Sequence, residues 1–580
     1  MKRLHTISNQ EIARILLEIA DYLAMQEVPF KPRAYERAAE TITALEEGLG
    51  MTYQSGGIKA LKEIPGVGQA IAEKIEELLT TGKLKYYEEL KRKTPVNLSE
   101  LQTIEGLGPK SVLKLYQKLN IRTLADLERA ARAGKIAKLE GFGPTSEQNI
   151  LKGIEFHKGG AKRHVIVYTM ESIRRLEELL KNRPDVERIA VAGSARRRKE
   201  TIGDVDILIA SKKSKTIMEY FVTLPQVARV FAHGETKSSV LFRSGLQVDL
   251  RVVPKESYGA ALNYFTGSKD HNVSLRQLAI TKGLKLNEYG LWRVTKGREQ
   301  VIAGGSEEEI YKALGLRYIE PELRENTGEI EASRAGTLPN VIRYGELQGD
   351  LQVQTDWTDG AESIEAMAKA AAARGFKYIA ITDHTKRLTI TNGLDEKRIQ
   401  KQWLEIDRVN KLMKGKITVL KGTECDILKD GTLDLPDNIL SKLDIVGVSV
   451  HSNFQLSRKD QTERIIRAIT NPNVDILFHP TGRIVGRRPP YDVDVEALIQ
   501  TAKQSKTVLE VNSSERLDLK DEYIKMAVAK GVRLAIDSDA HASNQYDNLE
   551  FGIAQARRGW AEKKDVVNAW PLEKMMAFLK

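Results

Sequence analysis

In 580 residues the chain has a single cysteine, Cys425. Internal disulfides and a four-cysteine zinc ribbon are excluded, and a reducing cytoplasm is the expected setting. No apolar run approaches the roughly 20 residues that span a bilayer, which excludes a membrane protein and a membrane partner. The opening MKRLHTISNQEIARI lacks the apolar core of a secretory signal. Histidine is scarce, with nine in all, and four of these lie beyond residue 300. The rear of the chain also lacks net charge: residues 346–580 hold 35 basic and 35 acidic side chains.

What is present is globular in character, with 41% hydrophobic and 29% charged residues. This length predicts three to five domains. The whole chain carries +11, so the excess falls within residues 1–345. Such asymmetry suggests a front that binds a polyanion and a rear with another task, ordinary surface lysine being the alternative on charge alone. Between them, Thr327-Gly-Glu-Ile-Glu-Ala-Ser-Arg-Ala-Gly-Thr-Leu-Pro339 shows no helical or strand period and reads as a linker. Beyond it, β-branched runs alternate with helical stretches, the pattern of parallel βα units.

The front repeats one pattern three times. Leu61-Lys-Glu-Ile-Pro-Gly66-Val-Gly68, Leu101-Gln-Thr-Ile-Glu-Gly106-Leu-Gly108 and Ile136-Ala-Lys-Leu-Glu-Gly141-Phe-Gly143 each lead into a helical stretch. Paired glycines permit a tight turn, and the following helix start offers free N–H groups to a phosphate. A single copy would be an ordinary αα-turn. The three segments resemble helix-hairpin-helix motifs, which grip the DNA backbone without reading sequence. The resemblance implies DNA binding at all six glycines and K+ or Na+ at the turn carbonyls.

Pro29-Phe-Lys-Pro-Arg-Ala-Tyr-Glu-Arg-Ala-Ala39 and Pro65-Gly-Val-Gly-Gln-Ala-Ile-Ala-Glu-Lys-Ile75 resemble the lyase domain of DNA polymerase beta. The resemblance makes Lys74 the Schiff-base lysine for an abasic sugar. Lys31, Arg33 and Lys62 are the cations expected to ease its deprotonation, with Tyr35 nearby. Ala70 stands where the relative has a second lysine.

The middle carries Ile189-Ala-Val-Ala-Gly193-Ser194-Ala-Arg-Arg197-Arg-Lys-Glu-Thr-Ile-Gly203-Asp204-Val-Asp206. Side chains two apart on a strand share a face, so Asp204 and Asp206 converge, and Asp249 in a further strand pattern supplies a third carboxylate. Such carboxylates suit a pair of divalent ions. Gly193, Ser194 and Gly203 let phosphates approach the backbone, and Arg197 offers a bidentate fork. These features alone would also fit an RNA-tailing or antibiotic-modifying transferase. Tyr264-Phe-Thr-Gly267-Ser-Lys-Asp-His-Asn272-Val-Ser-Leu-Arg276 narrows the choice, because it resembles the matching segment of family X DNA polymerases. The resemblance implies Mg2+ or Mn2+ at Asp204, Asp206 and Asp249. It places Tyr264, Phe265, Gly267 and Asn272 on the incoming dNTP and Arg276 on the template.

In the rear, His384, His451, His479 and His541 each follow an apolar run, and Glu424 ends another. Strand ends of a βα barrel meet at one mouth, where imidazoles and carboxylates make a transition-metal site. This half resembles the PHP phosphoesterase domain, a distorted (βα)7 barrel. The resemblance implies Mn2+ or Zn2+ on Asp359, His384, Glu424, His451, His479, Asp539 and His541. The family's His-x-His opening is Gln352-Val-Gln354 here, so one or two metals and a weakened or absent 3′–5′ exonuclease activity are expected. Arg483, Arg487 and Arg488 are candidates for holding a substrate phosphate.

The expected plan is a lyase-like helical domain at 1–95, a hairpin region at 96–160 and an α/β nucleotidyltransferase palm at 161–258. A thumb at 259–320, a linker at 321–345 and the PHP barrel at 346–580 complete it. The expected substrates are gapped or primed duplex DNA and dNTPs, bound by a monomer. A purely structural barrel is the main alternative, and a phosphatase of small esters is a weaker one.

Overall fold

The computed structural model describes residue 7 and residues 9–580, apart from 27, 29–30, 46–47, 103, 105–106, 144–145, 149, 152–153, 155–162 and 296–297. It divides into two units, 1–159 with 486–489, and 160–485 with 490–580.

The first unit is helical. Ile12, Leu16, Ile19 and Leu23 recur at helical spacing in Asn9–Met25, and all four are buried. They join a core supplied by the other helices, among them Lys31–Ala44, Gln69–Thr81 and Pro109–Leu119.

The second unit begins with a five-stranded sheet in the order Arg188–Val191, Asp204–Ala210, Gln247–Val253, Lys237–Phe242, Val227–His233. In Asp204–Ala210 the alternation separates two faces. Val205, Ile207 and Ile209 enter the palm core, while Leu208 and Ala210 pack with Tyr258 and Ala261 of the helix Tyr258–Thr266. Asp204 and Asp206 share that second face at its open end. A helix, Lys269–Thr281, and a three-stranded antiparallel sheet over Leu284–Ala303 follow.

The stretch expected to be a linker is folded. It holds a turn at Pro321–Leu323 and a helix at Glu329–Ala335, with Glu322, Arg324, Glu329 and Ile330 buried. Ile330 and Leu338 join a hydrophobic core, but many of its anchors are polar, so its hydropathy period is weak. The Glu329 carboxylate accepts from His271 Nδ1 at 2.6 Å and from the Asn326 and Thr327 N–H groups, and Arg324 pairs with Glu307 at 2.6 Å.

The rear is a nearly closed barrel of seven consecutive parallel strands. These are Gly349–Val353, Tyr378–Ile381, Thr418–Asp426, Ile445–Ser449, Ile476–Leu477, Val508–Asn512 and Leu534–Asp537. The first strand meets the end of the last, where Val353 bridges Ala540 and Gln354 N–H donates to the Ala540 carbonyl at 2.9 Å. Among the described residues no helix is long and apolar enough to cross a membrane.

Candidate functional sites in the palm, the hairpins and the barrel mouth

The three glycine repeats fold alike. Val67 N–H donates to Ile64, Leu107 to Ile104 and Phe142 to Leu139, at 3.0, 3.1 and 3.0 Å. Gly66 and Gly141 take φ of +81° and +83°, the left-handed position of a type II turn; Gly106 lies outside the described residues. Gly68 and Gly108 cap the helices that follow, and the Gly143 carbonyl accepts from Glu147 N–H at 3.0 Å. The first repeat, described throughout, therefore delivers a helix start just after a glycine turn, as backbone phosphate binding requires.

Lys74 lies half-buried in the first unit, its Nζ 4.8 Å from the Tyr86 ring and 5.9 Å from Tyr35. It donates to the Ala70 carbonyl at 3.1 Å. Burial lowers its pKa and Lys31 adds to the lowering, against Glu73 and Glu77.

In the palm, Asp206 and Asp249 are register partners on neighbouring parallel strands, and Asp204 is paired with Gln247. Register partners on adjacent strands stand roughly 4.8 Å apart. Gly193, at φ +63°, lies so close that a Cβ there would sit 2.8 Å from Asp206 Oδ2. Only glycine suits that position. Burial raises the Asp206 carboxyl to about 7, and Asp204 and Asp249 push the same way. Asp249 accepts from Ser239 Oγ at 2.5 Å and Gln247 Nε2 at 3.2 Å, and Lys237 stands 3.4 Å away. Arg251 and Lys237 oppose the rise at Asp206 without cancelling it, so the three acids remain a cluster that suits divalent ions.

Around it, Ser194 lies in the short helix Gly193–Arg196, and Gly203 immediately precedes Asp204. The Arg197 fork is engaged by Glu325 at 2.8 Å and by the Thr266 carbonyl rather than open. Tyr264 and Phe265 meet edge to face at 5.1 Å, and Gly267 ends their helix at φ +70°. Asn272 Nδ2 donates to the Tyr264 carbonyl at 2.7 Å, leaving its buried Oδ1 without a hydrogen bond, and Arg276 Nε donates to the Asn272 carbonyl at 3.3 Å.

The barrel mouth gathers all four rear histidines. His384, Glu424 and His451 form one triad, and Asp359, His384 and His541 another, each with ligand atoms within 4.8 Å. Among the described residues the palm carboxylates form no triad that tight. Glu424 is the hub. Its Oε1 accepts from His479 Nε2 at 2.9 Å with His451 Nε2 at 3.2 Å, and its Oε2 accepts from Gln352 and Gln354 at 3.1 and 2.9 Å. Although burial opposes it, these imidazoles hold Glu424 well below the usual carboxylate range. Burial alone would lower His451, but Asp426 and Glu424 outweigh it and bring it to about 9. Burial, with help from Arg516, takes His479 down to about 4. Asp539 accepts from Asn512 Nδ2 at 3.2 Å and lies 3.5 Å from Arg516. The donor set of imidazoles and carboxylates fits a transition metal, though the two glutamine amides cap an oxygen that a metal would need.

Asp426 escapes a reading of the sequence that looks only for histidines. It lies 3.3 Å from His451, and its position two residues after Glu424 on one strand was its signal. Arg516 carried none, coming from a loop. Arg483 does not face the mouth as a phosphate holder would. It is paired with Glu200 of the palm at 2.6 Å.

Comparison with known proteins agrees with this layout. Residues 7–84 match the helix-hairpin-helix domain and 98–155 the SAM-like helix-hairpin-helix tandem. Residues 261–325 match the DNA polymerase beta thumb and 350–518 the PHP domain. The chain is 37% identical over 575 residues to a DNA polymerase/3′-5′ exonuclease PolX of Bacillus subtilis, covering 98% of this chain and 99% of the relative. DNA polymerase lambda of Arabidopsis thaliana is 29% identical over 46% of this chain and 54% of its own length. A Thermoanaerobacter protein described as "Probable phosphatase" is 30% identical over 38% of this chain and 88% of its own length.

Proposed function

The chain belongs to the family X DNA polymerases that carry a PHP domain, and from this premise we propose that it fills short gaps in DNA by adding dNTPs at the palm. The observation that carries the reading is the pairing of Asp206 with Asp249 beneath Gly193, whose missing side chain leaves backbone against the carboxylate. In the reaction the primer 3′-oxygen bonds to the α-phosphorus as the bond to pyrophosphate breaks. Divalent ions on Asp204, Asp206 and Asp249 would favour the ionised hydroxyl and balance the triphosphate charge. Gly193, Ser194 and Gly203 hold the triphosphate through backbone, and Arg197 joins them by exchanging Glu325 for phosphate. Tyr264 and Phe265 pack the sugar, Asn272 offers its open Oδ1 to the base edge, and Arg276 orients the template. The hairpin turns grip the DNA backbone in a sequence-blind, salt-sensitive way. The test is a 5′-labelled gapped duplex with each dNTP in Mg2+ or Mn2+. Extension by the templated nucleotide is expected, and none in either metal overturns the reading.

A second reading concerns the barrel mouth: a metal-dependent 3′–5′ exonuclease site with reduced metal content, because Gln352 and Gln354 spend their amides on Glu424. Lys74 is a third: half-buried beside Tyr86 and Tyr35, with a lowered pKa, it suits attack on an abasic sugar. Borohydride trapping on an abasic duplex checks it. Wild type should cross-link and Lys74→Ala should not, with gap filling unchanged.

A further inference from the structure

The palm loop from Gly193 to Gly203 is held from outside the palm. Its far half rests on the barrel through three groups. Arg558, with a side chain 1% exposed, donates from Nη1 to the Arg197 carbonyl at 3.2 Å and to the Arg198 carbonyl. Its Nε is fixed by Asp521 at 3.0 Å. Glu200 accepts from Arg483 Nη2 at 2.6 Å and from Gln555 Nε2 at 2.7 Å. Glu550 pairs with Arg174 and lies 3.5 Å from Arg198. Leu517 and Phe551 of the barrel half are buried members of the palm core.

The contacts fall on the loop's return path. Glu200 precedes the strand pair in which Thr201 and Ile202 face Val165 and His164, and its carbonyl accepts from Ile166 N–H at 3.0 Å. Asp204 comes four residues later. At the other end, Arg198 adopts φ +53°, a conformation costly for a residue with a side chain, and Arg558 binds the carbonyl of that residue. Burial would raise the Glu200 carboxyl, yet Arg483 more than offsets this and keeps it ionised.

We propose that Arg558 and Arg483 of the barrel are positioning residues for nucleotide binding in the palm, acting through the carbonyls of Arg197 and Arg198 and through Glu200. The barrel is then the scaffold of the triphosphate loop, independent of any chemistry at its own mouth. The inference rests on the reading of Gly193–Gly203 as the nucleotide loop. If the loop shifts, the ground-state grip on dNTP suffers first, so KM rises while kcat, carried by Asp204, Asp206 and Asp249, changes little.

The experiment uses the full chain on a one-nucleotide gap in Mg2+, with active fraction set by burst amplitude. Glu200→Gln is the fold-sparing variant, since it keeps size and one accepting oxygen for Arg483 and Gln555 while removing the charge and the second acceptor. KM for dNTP should rise about tenfold in Glu200→Gln and in Arg483→Met. The double variant should be no worse than either single one, and Arg558→Lys should retain more affinity than Arg558→Met. KM in Glu200→Gln within about twofold of wild type overturns the proposal, as does a fall confined to active fraction or kcat. Asp206→Asn in the same assay tests the underlying reading. Retained addition there removes the assignment of the nucleotide site to the Asp206 cluster and its loop, whereas lost addition with an unmoved KM in Glu200→Gln removes only this inference.

Discussion

Asp206 in the palm and Glu424 in the barrel mouth are carboxylates on parallel strands of the same unit, and their surroundings drive them in opposite directions. Asp206 has Asp204 and Asp249 for neighbours, and its pKa climbs to about 7. Glu424 has His384, His451, His479 and two glutamine amides, and it is held far below the usual range. At the first site Arg251 and Lys237 do not offset burial and two neighbouring acids, so it calls for further positive charge from solution. The second has met much of that demand from its own side chains. A buried carboxylate among other acids thus depends on an added cation, whereas one ringed by imidazoles and amides is partly balanced before any metal arrives.

Neutralising the palm acid should have the largest consequence. Asp206→Asn keeps shape and removes the charge. It should lower nucleotide addition by about 10³-fold or more, leave metal bound to the barrel unchanged, and leave thermal stability equal or higher, because three acids become two. Gap-filling rates, metal analysis and melting of the same preparation check all three. Retained addition would mean that the unbalanced carboxylate is not the working one.

Glu307 supplies the opposite limit, a carboxylate balanced by fixed cations. It pairs with Arg196 and Arg324, both at 2.6 Å, and despite burial Arg324 and Arg196 hold it at about 2. Its folded pKa lies below the unfolded value. Its contribution to stability is thus complete above about pH 4.5 and disappears as pH falls toward 2, a loss of about 3 kcal/mol. Glu307→Gln strands Arg324, which is wholly buried, and should cost about 3–5 kcal/mol at neutral pH. Urea unfolding at a series of pH values checks this, with a flatter acid limb expected in the variant.

How far the sequence foretells these sites follows from what kind of signal each leaves. The glycine pairs, Asp204 with Asp206, and the histidines after apolar runs are local patterns with a direct geometric meaning, and the hairpins, the palm strand and the barrel mouth follow them. The seven-strand barrel follows from alternation of strand and helix. The helix at Glu329–Ala335 was not legible, because it is short and is held as much by the buried Glu329–His271 contact as by Ile330 and Ala332. Arg483 read as a phosphate ligand because a basic loop looks the same whether it meets solvent or Glu200 nearly 300 positions earlier. Gln352 and Gln354 were legible as weak metal ligands, yet their role as donors to Glu424 depends on which amide atom faces it, and that only three dimensions decide.

Gln352→His with Gln354→His exchanges two amide donors on Glu424 for imidazoles whose free nitrogens accept a metal. If the amides are what satisfies the barrel mouth from within, the double variant should gain about one bound transition metal per chain, tighten Mn2+ binding by about 10- to 100-fold, and strengthen Mn2+-dependent trimming of a 3′ end. Metal analysis after dialysis, with trimming of a labelled primer, reads this directly, while palm nucleotide addition serves as the unchanged control. Unaltered metal content would mean that the glutamine amides are not what keeps a metal from the barrel mouth.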